Sequence, residues 1–197
     1  GPFGEQNATY ASARAAAITG ADGQKGAGTR LVLPDEREYR FTLNDGTAEV
    51  AGNLYQSALP IADHLNVTCD VARAVGAVVI SATLGATAAA IDLYAEGYVH
   101  VNDQAGVGYN HRIKRARSSA AAHAAVAASG IITANLTAGE SVQVALTTAS
   151  QVTFAKNRFR VVLIHDSPPT ASLVGVSPGV AAADRWYWSQ VKGDAAA

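Results

Sequence analysis

Asp63, His64 and Cys69 are the residues of this 197-residue chain that come nearest to a catalytic set. A thiol attacks only as the thiolate, and a nearby imidazole steadied by a carboxylate is a common way to make one. Their spacing matches no family signature, and the plainer reading is a structural cysteine beside an ordinary loop histidine. The remaining histidines, at 100, 111, 123 and 165, form no His-x-His or His-x-x-x-His pattern. His100 and His111 could still face each other across a hairpin and share a metal with Asp103, because residues directly opposed on two strands approach closely. A polar pair on the solvent face of a sheet is the alternative. The expectation is therefore a chain that is not an enzyme, with no catalytic residue, no metal and no cofactor.

Binding chemistry is represented by two clusters. His111-Arg-Ile-Lys-Arg-Ala-Arg117 is the one basic run. On a strand, Arg112 and Lys114 point one way while Arg115 and Arg117 point the other, and no aromatic platform is interleaved, so direct nucleic-acid binding is not expected. Charges that guard a strand end or edge are the better account. Trp186-Tyr187-Trp188 is the densest aromatic cluster in a chain only 7% aromatic. Alternation puts the two tryptophans on one face and Tyr187 on the other, so one face could fill the core while the other meets a partner; a core-only role is equally open. Asn7, Asn66 and Asn135 each open an Asn-x-Thr sequon, taken as chance without a secretory leader. Gly26-Ala-Gly28 and Gly106-Val-Gly108 precede no helix, so a dinucleotide fingerprint is not met.

These residues need elements to hold them, and the pattern predicts strands. Thr29–Pro34 is a short strand, and Arg37–Leu43 alternates with Tyr39, Phe41 and Leu43 on one face. Asn44-Asp45-Gly46 reads as a hairpin turn, with Thr47–Val50 returning alongside. Val75–Thr83, Ile91–Val101, Val107–Ile113, Gln151–Phe154 and Arg158–His165 supply further strands. Ile131–Thr148 reads as a central hairpin: Leu136 ends one strand, Thr137–Glu140 turns, and Val142, Val144 and Leu146 alternate. Ser118–Ser129, nearly all alanine, is either a helix stopped by Gly130 or a long surface loop. Leu173–Ala183 reads as a loop, and Trp186 begins a last strand. Residues 1–28, broken by Gly20, Gly23, Gly26 and Gly28, form an extended N-terminal arm whose contacts centre on Phe3 and Tyr10. The whole is expected to be all-β, one sandwich or jelly-roll-like domain over 29–197 preceded by that arm.

Composition narrows the function class. Net charge is −1 and only 16% of residues are charged, which gives no bulk attraction to nucleic acid or anionic membrane and little repulsion between copies. The 49% apolar content is inflated by alanine, which buries little area, so burial between subunits would make up the shortfall. One cysteine excludes an intrachain disulfide. No apolar run nears 18 residues, and the chain is expected to be soluble.

Ile91-Asp-Leu-Tyr-Ala-Glu-Gly-Tyr-Val-His-Val101 followed by Leu136-Thr-Ala-Gly-Glu-Ser-Val-Gln-Val144 resembles trimeric jelly rolls over residues 91 to 147. Arg30–Phe41, Tyr94–Asp103 and Asp184–Gly193 resemble virion structural proteins of tailed bacteriophages, especially small proteins that accompany the major capsid protein. The resemblance implies a capsid decoration or cement subunit, a homo-oligomer and most simply a trimer, located in the virion after assembly in the host cytoplasm and partnered by the major capsid protein or other virion subunits. A major capsid, tail or fibre subunit, or a jelly-roll receptor or glycan-binding module, are the alternatives. It transfers no functional residue; the interface is expected at Phe3, Tyr10, Arg112, Lys114, Arg115, Trp186, Tyr187 and Trp188.

Overall fold

A computed structural model describes residues 25–115 and 121–195. Among them are twelve strands: β1 Arg30–Val32, β2 Glu38–Asn44, β3 Leu54–Gln56, β4 Val67–Thr68, β5 Val79–Thr83, β6 Tyr98–Asp103, β7 Asn110–Arg112, β8 Ile131–Asn135, β9 Gln151–Ala155, β10 Arg160–Ile164, β11 Leu173–Val176 and β12 Trp186–Lys192. The one helical element is a single 3-10 turn at Ala62–His64. The expected all-β class holds. No helix among the described residues is long and apolar enough to cross a membrane. The chain divides into two compact units: among the described residues, unit 1 is 25–59 with 158–195, and unit 2 is 60–115 with 121–157.

Unit 1 is organised on β2. Its alternating Tyr39 and Phe41 are fully buried, and β12 runs antiparallel along one edge with Trp188 opposite Phe41. Along the other edge β1 pairs first and β10 follows in parallel. The sheet then continues β10-β3-β11-β12 and returns to β2, so five strands close a ring. Alternation along β12 divides the packing. Trp186 and Trp188 join Leu31, Leu33, Tyr39 and Phe41 in one cluster, while Tyr187 joins Tyr55, Val162, Val174 and Ala181 in another. The ring of Phe41 stacks on Trp186 at 4.9 Å and lies 5.1 Å from Trp188.

Two expectations fail in unit 1. The Asn44-Asp45-Gly46 turn forms, with the Asp45 carboxylate accepting from the Thr47 N–H at 2.8 Å, but Thr47–Val50 does not return along β2. Both edges of β2 are already taken, so Glu49 bridges to Ala181 instead. Leu173–Val176, expected to be loop, is β11, held between β3 and β12.

Unit 2 contains a four-stranded sheet, β4-β9-β6-β7, and a two-stranded sheet, β5-β8, around one apolar cluster that includes Ile80, Tyr94, Val99, Ile113, Ile132, Val142, Leu146 and Phe154. Of the expected hairpin joining Ile91–Val101 to Val107–Ile113, the pairing of 98–100 with 110–112 is present, with Val99 opposite His111, while residues 91–96 are turn rather than strand. Alanine does more here than dilute the core: Ala82, Ala95, Ala122 and Ala134 are fully buried, where small side chains let backbones approach. Gly97 is a similar case, since a Cβ there would stand 2.1 Å from the Ala155 carbonyl oxygen.

The central hairpin over Ile131–Thr148 is corrected. β8 pairs with β5 in register from Val79↔Asn135 to Thr83↔Ile131, and residues 142–147 form no strand. Val142 and Leu146 are buried while Val144 faces out, because the chain bends between them. Residues 121–129 are loop rather than helix, tied by the Ala89–Val126 bridge; the rest of the Ser118–Ser129 segment up to Ala120 lies outside the described residues.

Candidate functional site

The Asp63, His64 and Cys69 set is not assembled. His64 is fully buried; its Nε2–H donates to the Thr87 carbonyl at 2.8 Å, which leaves Nδ1 to accept from the Tyr94 hydroxyl. The Asp63 carboxylate accepts from the Thr87 hydroxyl at 2.6 Å, not from the imidazole. Cys69 sits in the core beside Ala82, and burial pushes its thiol up, away from the thiolate that a nucleophile needs. Tyr94 continues the array: its backbone N–H donates to His123 Nε2 at 3.1 Å, and His123 Nδ1–H donates to the Ala124 carbonyl at 2.7 Å. Both ring nitrogens of both histidines are therefore occupied inside unit 2. The array braces the loops at 62–64, 87 and 122–124 around Tyr94, and solvent does not reach it.

The proposed metal pair also separates. His111 pairs with Val99 on the buried face, where its ring lies 3.9 Å from a Glu140 oxygen and burial pulls its pKa below 6.5. His100 is opposite Asn110 on the other face and shares a hydrogen bond with its side-chain oxygen. Strand alternation sends them apart. No group of three metal-ligating side chains occurs among the described residues.

Of the expected interface residues, Phe3 and Tyr10, with the arm up to residue 24, lie outside the described residues. Arg112 is exposed on β7, the last strand in the order of its sheet; Lys114 and Arg115 are half-buried, and Arg115 approaches Glu96 at 3.8 Å. Ile113 between them is core. Trp186, Tyr187 and Trp188 are each no more than 5% exposed. Of the two roles open to that cluster, packing is the one observed, on both faces of β12.

What the sequence reading missed is a set of exposed valines on unit 2. Residues 73–77 run antiparallel to 142–146, joined by the Arg73–Leu146 bridge and by hydrogen bonds from Gly76 N–H to the Val142 carbonyl and from Val142 N–H to the Ala77 carbonyl, both 2.8 Å. Val75 and Val144 on these segments, and Val71 and Val78 beside them, are 64%, 38%, 43% and 60% exposed. Solitary exposed valines are ordinary, but four on or beside two hydrogen-bonded segments mark this part of unit 2 as the place to look for a contact. Treating Val142–Leu146 as a strand with one inward face hid Val144 from view.

Unit 1 buries a second group without an obvious sequence signal. Glu49 is 1% exposed, and its Oε2 and the Tyr187 hydroxyl both lack a hydrogen-bond partner. Burial raises the Glu49 carboxyl to about 7 and Tyr55 beside it to about 12. Glu49 does not itself line the neighbouring cavity of about 340 Å³ bounded by Ala48, Val50 and Tyr55, so its consequence is for stability.

Comparison with known protein families, with curated proteins and with solved structures gave no match to this chain.

Proposed function

We propose that the chain is a non-enzymatic structural subunit of a tailed-phage virion, a decoration or cement protein that oligomerises as a trimer and holds neighbouring shell subunits together. The likeness of Tyr94–Asp103 and Asp184–Gly193 to such proteins supports the reading, and so does an all-β fold in which His64, His123 and the Cys69 thiol serve internal packing. The observation that carries it is the exposure of Val71, Val75, Val78 and Val144 on and beside two paired segments of unit 2. At about 25 cal/mol per Å² of apolar surface removed from water, a few valines contribute modestly in one contact. Repetition by symmetry turns such weak contacts into avidity, and a subunit that binds only the assembled shell stabilises it by mass action.

Light scattering and co-sedimentation with tailed-phage capsids test this together. The wild type should run as a trimer and pellet with particles, and Val75→Glu with Val144→Glu should weaken both behaviours while leaving the circular dichroism spectrum unchanged. A monomer at high concentration that never associates with particles would end the proposal; reproducible glycan-array hits in its place would favour a receptor-binding module.

A further inference from the structure

We propose that a groove between β11 and β12 in unit 1 binds an oxyanion-bearing ligand, phosphate or carboxylate, through Arg40, Arg158 and Lys192. The groove arises from the way the two strands part. They pair at Val176↔Gln190, and continuing that antiparallel register would set Leu173 against Gly193, where no pairing exists. The space left open is a cavity of about 450 Å³, walled by β11 on one side and by Gln190–Gly193 on the other. That volume suits a small ligand. One wall stays bare for a steric reason: at Gly175 a Cβ would stand 2.4 Å from the Gln190 carbonyl oxygen.

The charge of the lining has one sign. Arg40, Arg158 and Lys192 contribute three cations, and no carboxylate lines the cavity. Phe159 steadies the two guanidinium groups, with Arg158 at 5.1 Å and Arg40 at 6.0 Å from its ring centroid. Each arginine is further anchored by a backbone carbonyl: Arg158 donates to Leu173 at 2.7 Å and Arg40 to Gly28 at 3.0 Å. A guanidinium has five N–H donors, so these anchors orient the fork and leave donors for a ligand. Lys192 reaches Glu38 only at 3.9 Å, and that carboxylate is engaged more closely by Arg30. Planar forks beside a mobile ammonium match the oxygens of phosphate or carboxylate, and charge-assisted bonds of this kind are the strong ones. The lining residues are far apart in sequence, at 40, 158 and 192, so no linear motif announces the site.

Calorimetric titration of the whole protein at low ionic strength, with sodium pyrophosphate in one arm and citrate in the other, tests the assignment against sodium chloride at matched ionic strength. At least one arm should bind with a Kd of about 10–100 µM, and Arg158→Gln and Lys192→Gln should each weaken it about tenfold. Pyrophosphate binding alone would assign phosphate, and citrate binding alone would assign carboxylate. Amide NMR shifts provide a reading that needs no variant: they should cluster at 173–176 and 190–193. Heats no larger than those of chloride, binding unchanged in the double variant, or shifts centred elsewhere would overturn the proposal.

Discussion

Unit 2 buries His64, Tyr94 and His123 with a partner at every ring nitrogen, although His111 Nδ1 and Arg73 Nε in the same unit have no hydrogen bond; unit 1 buries Glu49 and leaves one of its carboxyl oxygens, and the Tyr187 hydroxyl, with none. A buried polar group that keeps its hydrogen bonds is close to neutral for stability, whereas an orphaned one retains most of its desolvation cost. The pH responses differ as well. The Glu49 carboxyl is raised from 4.5 to about 7, chiefly by burial, so between those values the folded chain holds a proton that the unfolded chain has released. Unit 1 therefore loses stability as pH rises through that window, and the loss is complete above about 7. His111 in unit 2 is the reverse: burial lowers it from 6.5, with Glu140 opposing, so below 6.5 the unfolded chain takes up a proton that the folded ring declines. Unit 2 loses stability as pH falls.

The comparison can be broken most severely at Phe41. Both tryptophans of the chain are in unit 1, so their fluorescence reports that unit. Phe41→Ala empties the space between them and should cost about 3–5 kcal/mol in urea unfolding followed by that signal, at every pH. Glu49→Gln sharpens the contrast: the fall in unit 1 stability between pH 4.5 and 7, on the order of 3 kcal/mol in the wild type, should disappear. If the wild type shows no such fall, Glu49 is not held as described. Tyr94→Phe removes the hydroxyl that His64 Nδ1 accepts from and should cost about 2 kcal/mol, read as faster hydrogen exchange in unit 2 peptides. His111→Gln should have the smallest effect, flattening the loss of protection of the 98–112 hairpin on acidification below pH 6.5.

How far the sequence could be read follows from the same physics. β2 and β12 were legible because alternation of large side chains coincides with real pairing: Tyr39 and Phe41 face inward, and Trp186 and Trp188 line up opposite that strand. Val142, Val144 and Leu146 carry the same alternation with a different outcome. Burial of the first and last is met by a bent ribbon in which Val144 turns out, and periodicity over five residues cannot separate the two cases. β11 was missed because its Gly and Val signal nothing alone; its strand conformation comes from β3 and β12, distant in sequence. The histidine array escaped notice for a related reason, since His64, Tyr94 and His123 meet only in the folded unit.

Closure of the unit 1 ring by β2 and β12 fixes an order of events during synthesis. Unit 2 is one contiguous stretch, so all of its strands exist once Asn157 has been added. β2 must wait for its longest partner, Trp186–Lys192, nearly 150 residues after Glu38, with Tyr39 and Phe41 uncovered on that edge until then. A strand whose Tyr39 and Phe41 end fully buried thus keeps one edge open until late in synthesis, and unit 2 has all of its strands in the interval during which that edge could be drawn into a wrong pairing.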